Sequence, residues 1–115
     1  MNTVPIAEAF SIHRFSETYP HLSPDVRWTV IGASTLDGRE AVVAACEKST
    51  AELAGVTTTF RAFRSIAAGG TVVVESLADY VDADGETSTV ASCDIYDFDG
   101  DTVVAITSYN LIPAG

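Results

Sequence analysis

Asp94 is the residue whose surroundings most clearly suggest chemistry. It lies in the stretch SCDIYDFDGD, residues 92–101, where four of ten positions are aspartate. Strand alternation places Asp94 on the same face as Ser92, whereas the three later aspartates crowd around Gly100 and indicate a solvated turn. A carboxyl group that faces an apolar wall loses hydration, which raises its pKa and allows it to donate a hydrogen bond when protonated. Asp94 is therefore the first candidate catalytic residue, and the alternative is that it bonds to Ser108, Asn110 or a backbone amide and only holds the sheet.

His13 is the second candidate, because an imidazole titrates near neutral pH and could act as a general base. It lies in PIAEAFSIHRFSETY, residues 5–19, where Ile6, Phe10, His13 and Phe15 follow a loose helical spacing. A lone histidine on a helix more often has a structural or exposed role, and the sequence leaves both interpretations open.

No metal site is predicted. The acidic stretches DADGE, residues 82–86, and DFDGD, residues 97–101, lack the spacing of a calcium-binding loop. The two cysteines, Cys46 and Cys93, and the two histidines also lack the spacing of metal ligands. We therefore expect any chemistry to proceed without a metal or other cofactor.

The elements that must position these residues follow an α+β order. A first helical region precedes the strand-like VRWTVIG, residues 26–32. A second helix is predicted within residues 36–55, with Asp37 as its N-terminal cap and Gly55 as its C-terminal stop. After Gly55, four β-branched and aromatic runs are separated by AAGG, DADGE and DFDGD, which are turn signals. The pattern predicts an antiparallel meander with helices on one face.

Alternation along each strand divides the polar side chains of the meander into faces. One face of the last strand carries Val104, Ile106, Ser108 and Asn110, and the opposite face carries Val103, Ala105, Thr107 and Tyr109. Ser76 shares a face with Tyr80, and Trp28 shares one with Val30. Alternation alone does not say which face is concave.

Composition limits the classes of partner. The 115 residues, taken as one domain over 1–115, carry a net charge of −10 with 47% hydrophobic residues. This acidity disfavours nucleic acid and anionic membranes, because phosphate binding needs clustered Lys and Arg. The N-terminal MNTVPIAEAF has no basic region, and no apolar run is long enough to span a bilayer. We therefore expect a cytoplasmic protein with neither a nucleic-acid nor a membrane partner.

The order of elements resembles the nuclear transport factor 2-like superfamily, and within it the SnoaL-like and ketosteroid isomerase-like proteins. Three stretches carry the resemblance: SPDVRWTVIG at the first strand, LDGREAV at the start of the long helix, and CDIYDFDGDTVVAITSYN at the last hairpin. The resemblance covers roughly residues 10–112. It implies a cone-shaped, cystatin-like α+β roll, in which a strongly curved, mostly antiparallel sheet wraps around the N-terminal helices and one long helix.

The same resemblance implies an apolar pocket, a small apolar ligand and a homodimer. It places Asp94 inward, at the position of the carboxylic acid that donates to the substrate oxyanion in the isomerases. The dimer interface is expected on the outer face, with Val73, Leu77, Ala91, Ile95, Val103 and Ala105. The residues expected to bind the ligand are Trp28, Val30, Ser76, Tyr80, Ser92, Ile106, Ser108 and Asn110.

The resemblance does not carry a complete mechanism across. The isomerases have an aspartate near the end of the first strand, where this chain has Thr29, and the arginine–aspartate triad of the epoxide hydrolases is absent. One hypothesis is a cofactor-free isomerase, cyclase or dehydratase that acts on an apolar carbonyl or cyclic substrate. The alternative is a non-catalytic ligand-binding or dimerisation module. A nuclear transport adaptor is a third possibility, supported by the superfamily name alone.

Overall fold

The computed structural model describes residues 3–113, which form three helices and a six-stranded sheet. The α-helices are α1 (Thr3–Ser11) and α2 (Arg39–Glu52), and a 3₁₀ helix spans Phe15–His21. The strands are β1 (Leu22–Val30), β2 (Ser34–Asp37), β3 (Thr57–Ala68), β4 (Thr71–Val81), β5 (Thr87–Asp99) and β6 (Thr102–Leu111). The predicted α+β class, with a curved sheet around the helices, is confirmed.

The sheet is open and mixed, in the order β2-β1-β6-β5-β4-β3. Among the strands of residues 3–113, only β1 and β6 pair in parallel, while the other four pairings are antiparallel. This topology places β1 beside the last strand, so that Trp28 pairs with Ile106 and Val30 with Ser108. Residues from the two ends of the chain therefore meet in the middle of one sheet.

The first strand differs from its prediction at both ends. It begins four residues earlier, at Leu22, and ends at Val30, because Gly32 adopts φ 80° in the turn that follows. That turn leads into β2, a short edge strand that the sequence analysis missed. Asp37 ends β2 and forms an ion pair with Arg27, so the prediction that it caps α2 is wrong.

The meander is confirmed, with turns at the three predicted places. Gly69, Gly85 and Gly100 adopt positive φ in these turns, as the glycine signals require. One detail of the last turn is corrected. Asp97 belongs to β5, where it is half-buried and accepts a hydrogen bond from Thr71 Oγ1 at 3.0 Å.

A β-bulge in β6 changes the predicted faces near its start. Ala105 pairs with Asp97 but Val103 pairs with Phe98, so one extra residue of β6 lies between these pairs. As a result, Val103 is buried in the core and Val104 is 38% exposed, the reverse of the alternation. Val103 is therefore removed from the predicted outer face.

Helix α1 is attached to the sheet by a cluster of aromatic rings. The Phe10 ring packs edge-on against Phe15, Trp28 and Tyr96, with centroids 4.9, 5.0 and 5.9 Å away. Tyr96 is fully buried in the same core. Edge-to-face pairs of this kind add to the free energy gained by burying the rings. This contact sets α1 over the sheet and forms one wall of a cavity.

None of the helices within residues 3–113 is long and apolar enough to cross a membrane.

Candidate functional site

A cavity of about 540 Å³ opens between the C-terminal end of α1, the end of α2 and the concave side of the sheet. Its size lies within the range of small-molecule pockets. Phe10, Phe15, Leu53 and Val90 supply apolar wall. Eight of the predicted site residues also line it: His13, Trp28, Ser76, Tyr80, Ser92, Asp94, Ser108 and Asn110.

Two of the predicted ligand-binding residues do not line this cavity. Ile106 is 1% exposed and belongs to the hydrophobic core, where it pairs with Tyr96 on the neighbouring strand. Val30 lies at the end of β1, outside the lining. Alternation identified their face of the sheet, but the face extends beyond the cavity and includes core positions.

The Asp94 carboxylate is held by a hydroxyl group from α1. Ser11 Oγ donates a hydrogen bond of 2.9 Å to Asp94 Oδ2, and Ser11 Oγ also lies 2.6 Å from the Tyr96 hydroxyl. Because Ser11 gives its only hydrogen to Asp94, Tyr96 is the donor in the second contact. A chain of donors therefore runs from Tyr96 through Ser11 to Asp94.

A second chain of donors reaches Asp94 from β1. Trp28 Nε1 donates a hydrogen bond of 2.9 Å to Ser108 Oγ. An indole nitrogen is only a donor, so Ser108 accepts here and keeps its own hydrogen. Ser108 pairs with Asp94 across β5 and β6, and hydrogen bonding by its hydroxyl acts to lower the pKa of the Asp94 carboxyl group. In both series of hydrogen bonds the donors are directed towards Asp94, which suits an acceptor at that position.

Burial and hydrogen bonding act on the pKa of Asp94 in opposite directions. Loss of hydration penalises the charged carboxylate and raises the pKa above its ordinary value of 3.8. Hydrogen bonding by Ser108 and Ser11 favours the carboxylate and lowers the pKa. The effect of burial is the larger, so the net pKa is raised. A carboxyl group of this kind moves towards the range in which it can both take and give a proton.

The raised pKa predicts a pH-dependent difference in stability between the wild type and Asp94→Asn. The folded chain binds the Asp94 proton more tightly than the unfolded chain, so the stabilising contribution of this group declines as pH rises above its ordinary pKa of 3.8. The free energy of unfolding of the variant, relative to the wild type, should therefore increase with pH and level off above the raised pKa. Urea unfolding between about pH 4 and pH 7 measures this difference. A difference that stays constant, or falls as pH rises, contradicts the prediction.

Ser92 and Asn110 line the cavity but bond to each other. Ser92 Oγ donates a hydrogen bond of 2.9 Å to Asn110 Oδ1 at the exposed end of the β5–β6 pair. The sequence analysis predicted that both bind the ligand, together with Ser108. Among the three, only Ser108 is bonded to the carboxyl group. The Asn110 amide NH₂ remains available to a ligand near the opening.

His13 and Tyr80 form a separate polar pair on the cavity wall. His13 Nε2 lies 2.9 Å from the Tyr80 hydroxyl oxygen. Burial lowers the pKa of His13, so the ring is held neutral, and burial followed by the Asp94 charge raises the pKa of Tyr80. His13 lies beyond the end of α1, at φ 70°, and is therefore not a helical residue as its spacing suggested.

Ser11 is the site residue that the sequence analysis missed. It is 6% exposed, and its helical spacing of four from the fully buried Ala7 was the available signal. Alternation along β5 gives Tyr96 the same face as Asp94, but its link through Ser11 depends on how α1 docks against the sheet.

Within residues 3–113, no group of three or more His, Cys, Asp or Glu side chains is arranged to hold a metal ion.

Comparison with known proteins gives a family for this architecture. The SnoaL-like domain model matches residues 6–106. An NTF2-like protein of unknown function from Cytophaga hutchinsonii is similar with a TM-score of 0.83 and 32% identity, over 94% of this chain and 95% of that one. No curated protein sequence matches the chain.

Two more distant structures share the fold. A protein from Xanthomonas campestris, provisionally named a polyketide cyclase, has a TM-score of 0.72 and 19% identity, over 90% of this chain and 83% of that one. An LEH-like epoxide hydrolase from M. tuberculosis has a TM-score of 0.71 and 15% identity, over 96% and 83%. The family match and the similarity to the Cytophaga protein agree with the observed topology. The chain therefore belongs to the SnoaL-like domain family, within the nuclear transport factor 2-like superfamily.

Proposed function

We propose that this protein is a cofactor-free acid/base enzyme that acts on a small, neutral, apolar cyclic substrate bearing a carbonyl group. The observation that carries the proposal is the setting of Asp94. Its carboxyl group lines an apolar cavity, accepts hydrogen bonds from two relayed hydroxyl groups and has a raised pKa. Asp94 takes a proton from the carbon beside the carbonyl and returns it, while the His13–Tyr80 pair lies on the same cavity wall.

The charge of the cavity supports a neutral ligand. The described residues that line it include two acids, Asp94 and Glu52, and no Lys or Arg. An anionic ligand would bring a negative charge into a cavity without a compensating cation, inside a chain of net charge −10. Aromatic and aliphatic walls favour apolar rings, and the polar groups on the wall favour one or two oxygen atoms on those rings.

The relatives share the fold and leave the reaction open. Proteins of this fold include one provisionally named a polyketide cyclase, one provisionally named a SnoaL-like isomerase and an epoxide hydrolase. Each is below 25% identical to this chain, so the similarity extends to the fold. Of the reactions considered, proton transfer beside a carbonyl requires the fewest groups, and Asp94 with a hydrogen-bond donor suffices for it.

Hydrogen–deuterium exchange tests the proposal without knowledge of the natural substrate. The probe is 2-tetralone, a neutral bicyclic ketone with acidic hydrogens beside its carbonyl. In D₂O, the Asp94 carboxylate removes one of these hydrogens as a proton, the carbon–hydrogen electron pair forms the enolate, and a deuteron from solvent replaces the proton. We expect the wild-type protein to accelerate deuterium uptake above the buffer rate, measured by proton NMR. Binding of the ketone without acceleration supports the non-catalytic binding module instead.

We also propose that a second copy of this chain covers the outer face of the sheet. Leu77 and Ile95 are partly exposed there, Tyr109 is 48% exposed and Leu111 is 68% exposed. Neighbouring strands place these side chains on one apolar surface, and such surfaces commonly mark interfaces. In a symmetric dimer the same surface of each copy forms the interface, so a second copy of this chain carries the matching apolar surface.

Light scattering at micromolar concentration tests the dimer. We expect a mass of twice the 12.1 kDa chain for the wild type. Tyr109→Arg places a like charge in both halves of a symmetric interface and should give the single-chain mass, while Ile31→Arg, in the turn after β1, should leave the dimer intact. A wild-type mass near 12.1 kDa contradicts the proposal.

A further inference from the structure

The backbone fixes where the His13 ring can go. The His13 N–H bonds to Phe10 O at 3.1 Å and the Arg14 N–H bonds to Ala9 O at 2.9 Å, which is the pattern of a Schellman motif with His13 in the left-handed position. The ring packs against Phe15 and Phe60, with centroids 5.5 and 6.1 Å away. These contacts leave Nε2 facing the Tyr80 hydroxyl.

The hydrogen bonds around His13 identify its tautomer. A neutral imidazole has one N–H donor and one acceptor nitrogen. Nδ1 is buried and has no hydrogen-bond partner among residues 3–113, whereas Nε2 lies 2.9 Å from Tyr80 Oη. A hydrogen on Nδ1 would be a buried donor without an acceptor, which is rare in folded proteins and costly. The hydrogen therefore lies on Nε2 and is donated to the Tyr80 oxygen.

This tautomer determines what Tyr80 can do. Its oxygen accepts from His13, so its own hydrogen is not used in that contact. Tyr80 lines the cavity, and burial and the Asp94 charge keep its hydroxyl protonated by raising its pKa. The result is a neutral O–H donor on the wall of a cavity in which Asp94 is an acceptor.

We propose that the Tyr80 hydroxyl donates the hydrogen bond to the carbonyl oxygen of the bound ligand, and that His13 is the positioning residue that frees this hydrogen. The carbonyl acceptor on the ligand is part of the proposed function, on which this inference rests. The His13 tautomer, in contrast, is a property of the free protein. Donation to the carbonyl oxygen stabilises the negative charge that develops when Asp94 removes a neighbouring proton. The proposal thus separates the base, Asp94, from the donor, Tyr80.

Nitrogen-15 NMR of the free protein tests the tautomer. In His21→Gln only one histidine remains, so the ring signals belong to His13. At neutral pH we expect Nε2 to carry the hydrogen and Nδ1 to be unprotonated, with a slowly exchanging Nε2–H signal. Tyr80→Phe removes the acceptor and should accelerate that exchange at least tenfold. A hydrogen on Nδ1, or an exchange rate indifferent to Tyr80→Phe, overturns the role given to His13.

The infrared carbonyl band of bound 2-tetralone tests the donor. The band is isolated by subtracting the spectrum obtained with a carbon-13 carbonyl. A hydrogen bond lowers its frequency, so Tyr80→Phe should raise it and weaken binding by roughly fivefold to tenfold. His13→Gln retains an N–H within reach of Tyr80 and should keep the lowered frequency. Asparagine is also tolerated in the left-handed region but is shorter than histidine. The carbonyl frequency in His13→Asn should therefore lie between those of the wild type and Tyr80→Phe.

The outcomes separate this inference from the proposed function. If 2-tetralone binds the wild type and its band is the same in Tyr80→Phe, Tyr80 is not the donor, while the cavity remains a ketone site. If 2-tetralone does not bind, the proposed ligand class is wrong and the donor role falls with it, while the NMR experiment still decides the tautomer. Circular dichroism of each variant verifies that it is folded.

Discussion

Asp94→Asn should slow deuterium uptake by bound 2-tetralone by about 10²–10⁴-fold, the usual contribution of a general acid or base. The amide keeps the shape of the carboxyl group and accepts a hydrogen bond from Ser11 through its oxygen, but it cannot take a proton. Proton NMR in D₂O measures the rate at saturating ketone. The affinity for the ketone should change much less than the rate.

Two comparisons make the Asp94→Asn result decisive. Asp99→Asn removes an exposed acid at the end of β5 and should leave the exchange rate unchanged. If Asp94 only holds the sheet, Asp94→Asn should instead lose about 1–3 kcal/mol of stability from a disturbed buried hydrogen-bond network, with no catalysed exchange to lose. A stable variant with the wild-type exchange rate contradicts a catalytic Asp94.

Phe10→Ala should destabilise the fold by about 3–5 kcal/mol, the usual cost of truncating a buried aromatic side chain to alanine. Phe10 is 4% exposed and contacts Phe15, Trp28 and Tyr96, so its removal leaves a void between α1 and the sheet. This loss is a large fraction of the ~5–15 kcal/mol that stabilises a typical domain. Urea unfolding followed by circular dichroism measures it.

The matched control truncates an exposed apolar residue. Ile31 is 47% exposed in the turn after β1, and Ile31→Ala should change the free energy of unfolding by about 0.5 kcal/mol or less. If Phe10→Ala is no more destabilising than Ile31→Ala, the aromatic cluster does not anchor α1. Contacts other than the aromatic cluster would then hold this wall of the cavity in place.

The meander could be predicted from local signals, because each of its turns contains a glycine at positive φ. The face of Asp94 followed from alternation, and the concave side from the resemblance to SnoaL-like proteins. The bulge that buries Val103 and exposes Val104 has no comparable local signal. It arises where β6 must pair with both β5 and β1, which is a property of the assembled sheet.

The partners of Asp94 were less predictable than its direction. Ser108 lies directly across β5 and β6, so the register of one hairpin predicts that contact. Ser11 is 83 positions away in the sequence and reaches Asp94 only because Phe10 docks α1 on the sheet. The His13–Tyr80 contact likewise depends on the left-handed turn after α1. Long-range contacts between a helix and a sheet are fixed by packing, which alternation and spacing do not describe.

A carbon-13 NMR titration of the Asp94 side-chain carboxyl, in the free protein and with saturating 2-tetralone, tests the central claim most directly. The signal is assigned by its absence in Asp94→Asn. We predict a midpoint above the ordinary pKa of 3.8 in the free protein, and a change in that midpoint when the ketone binds. A midpoint at the ordinary value that does not respond to the ketone would contradict the account, because Asp94 would then be neither desolvated in the cavity nor in contact with its ligand.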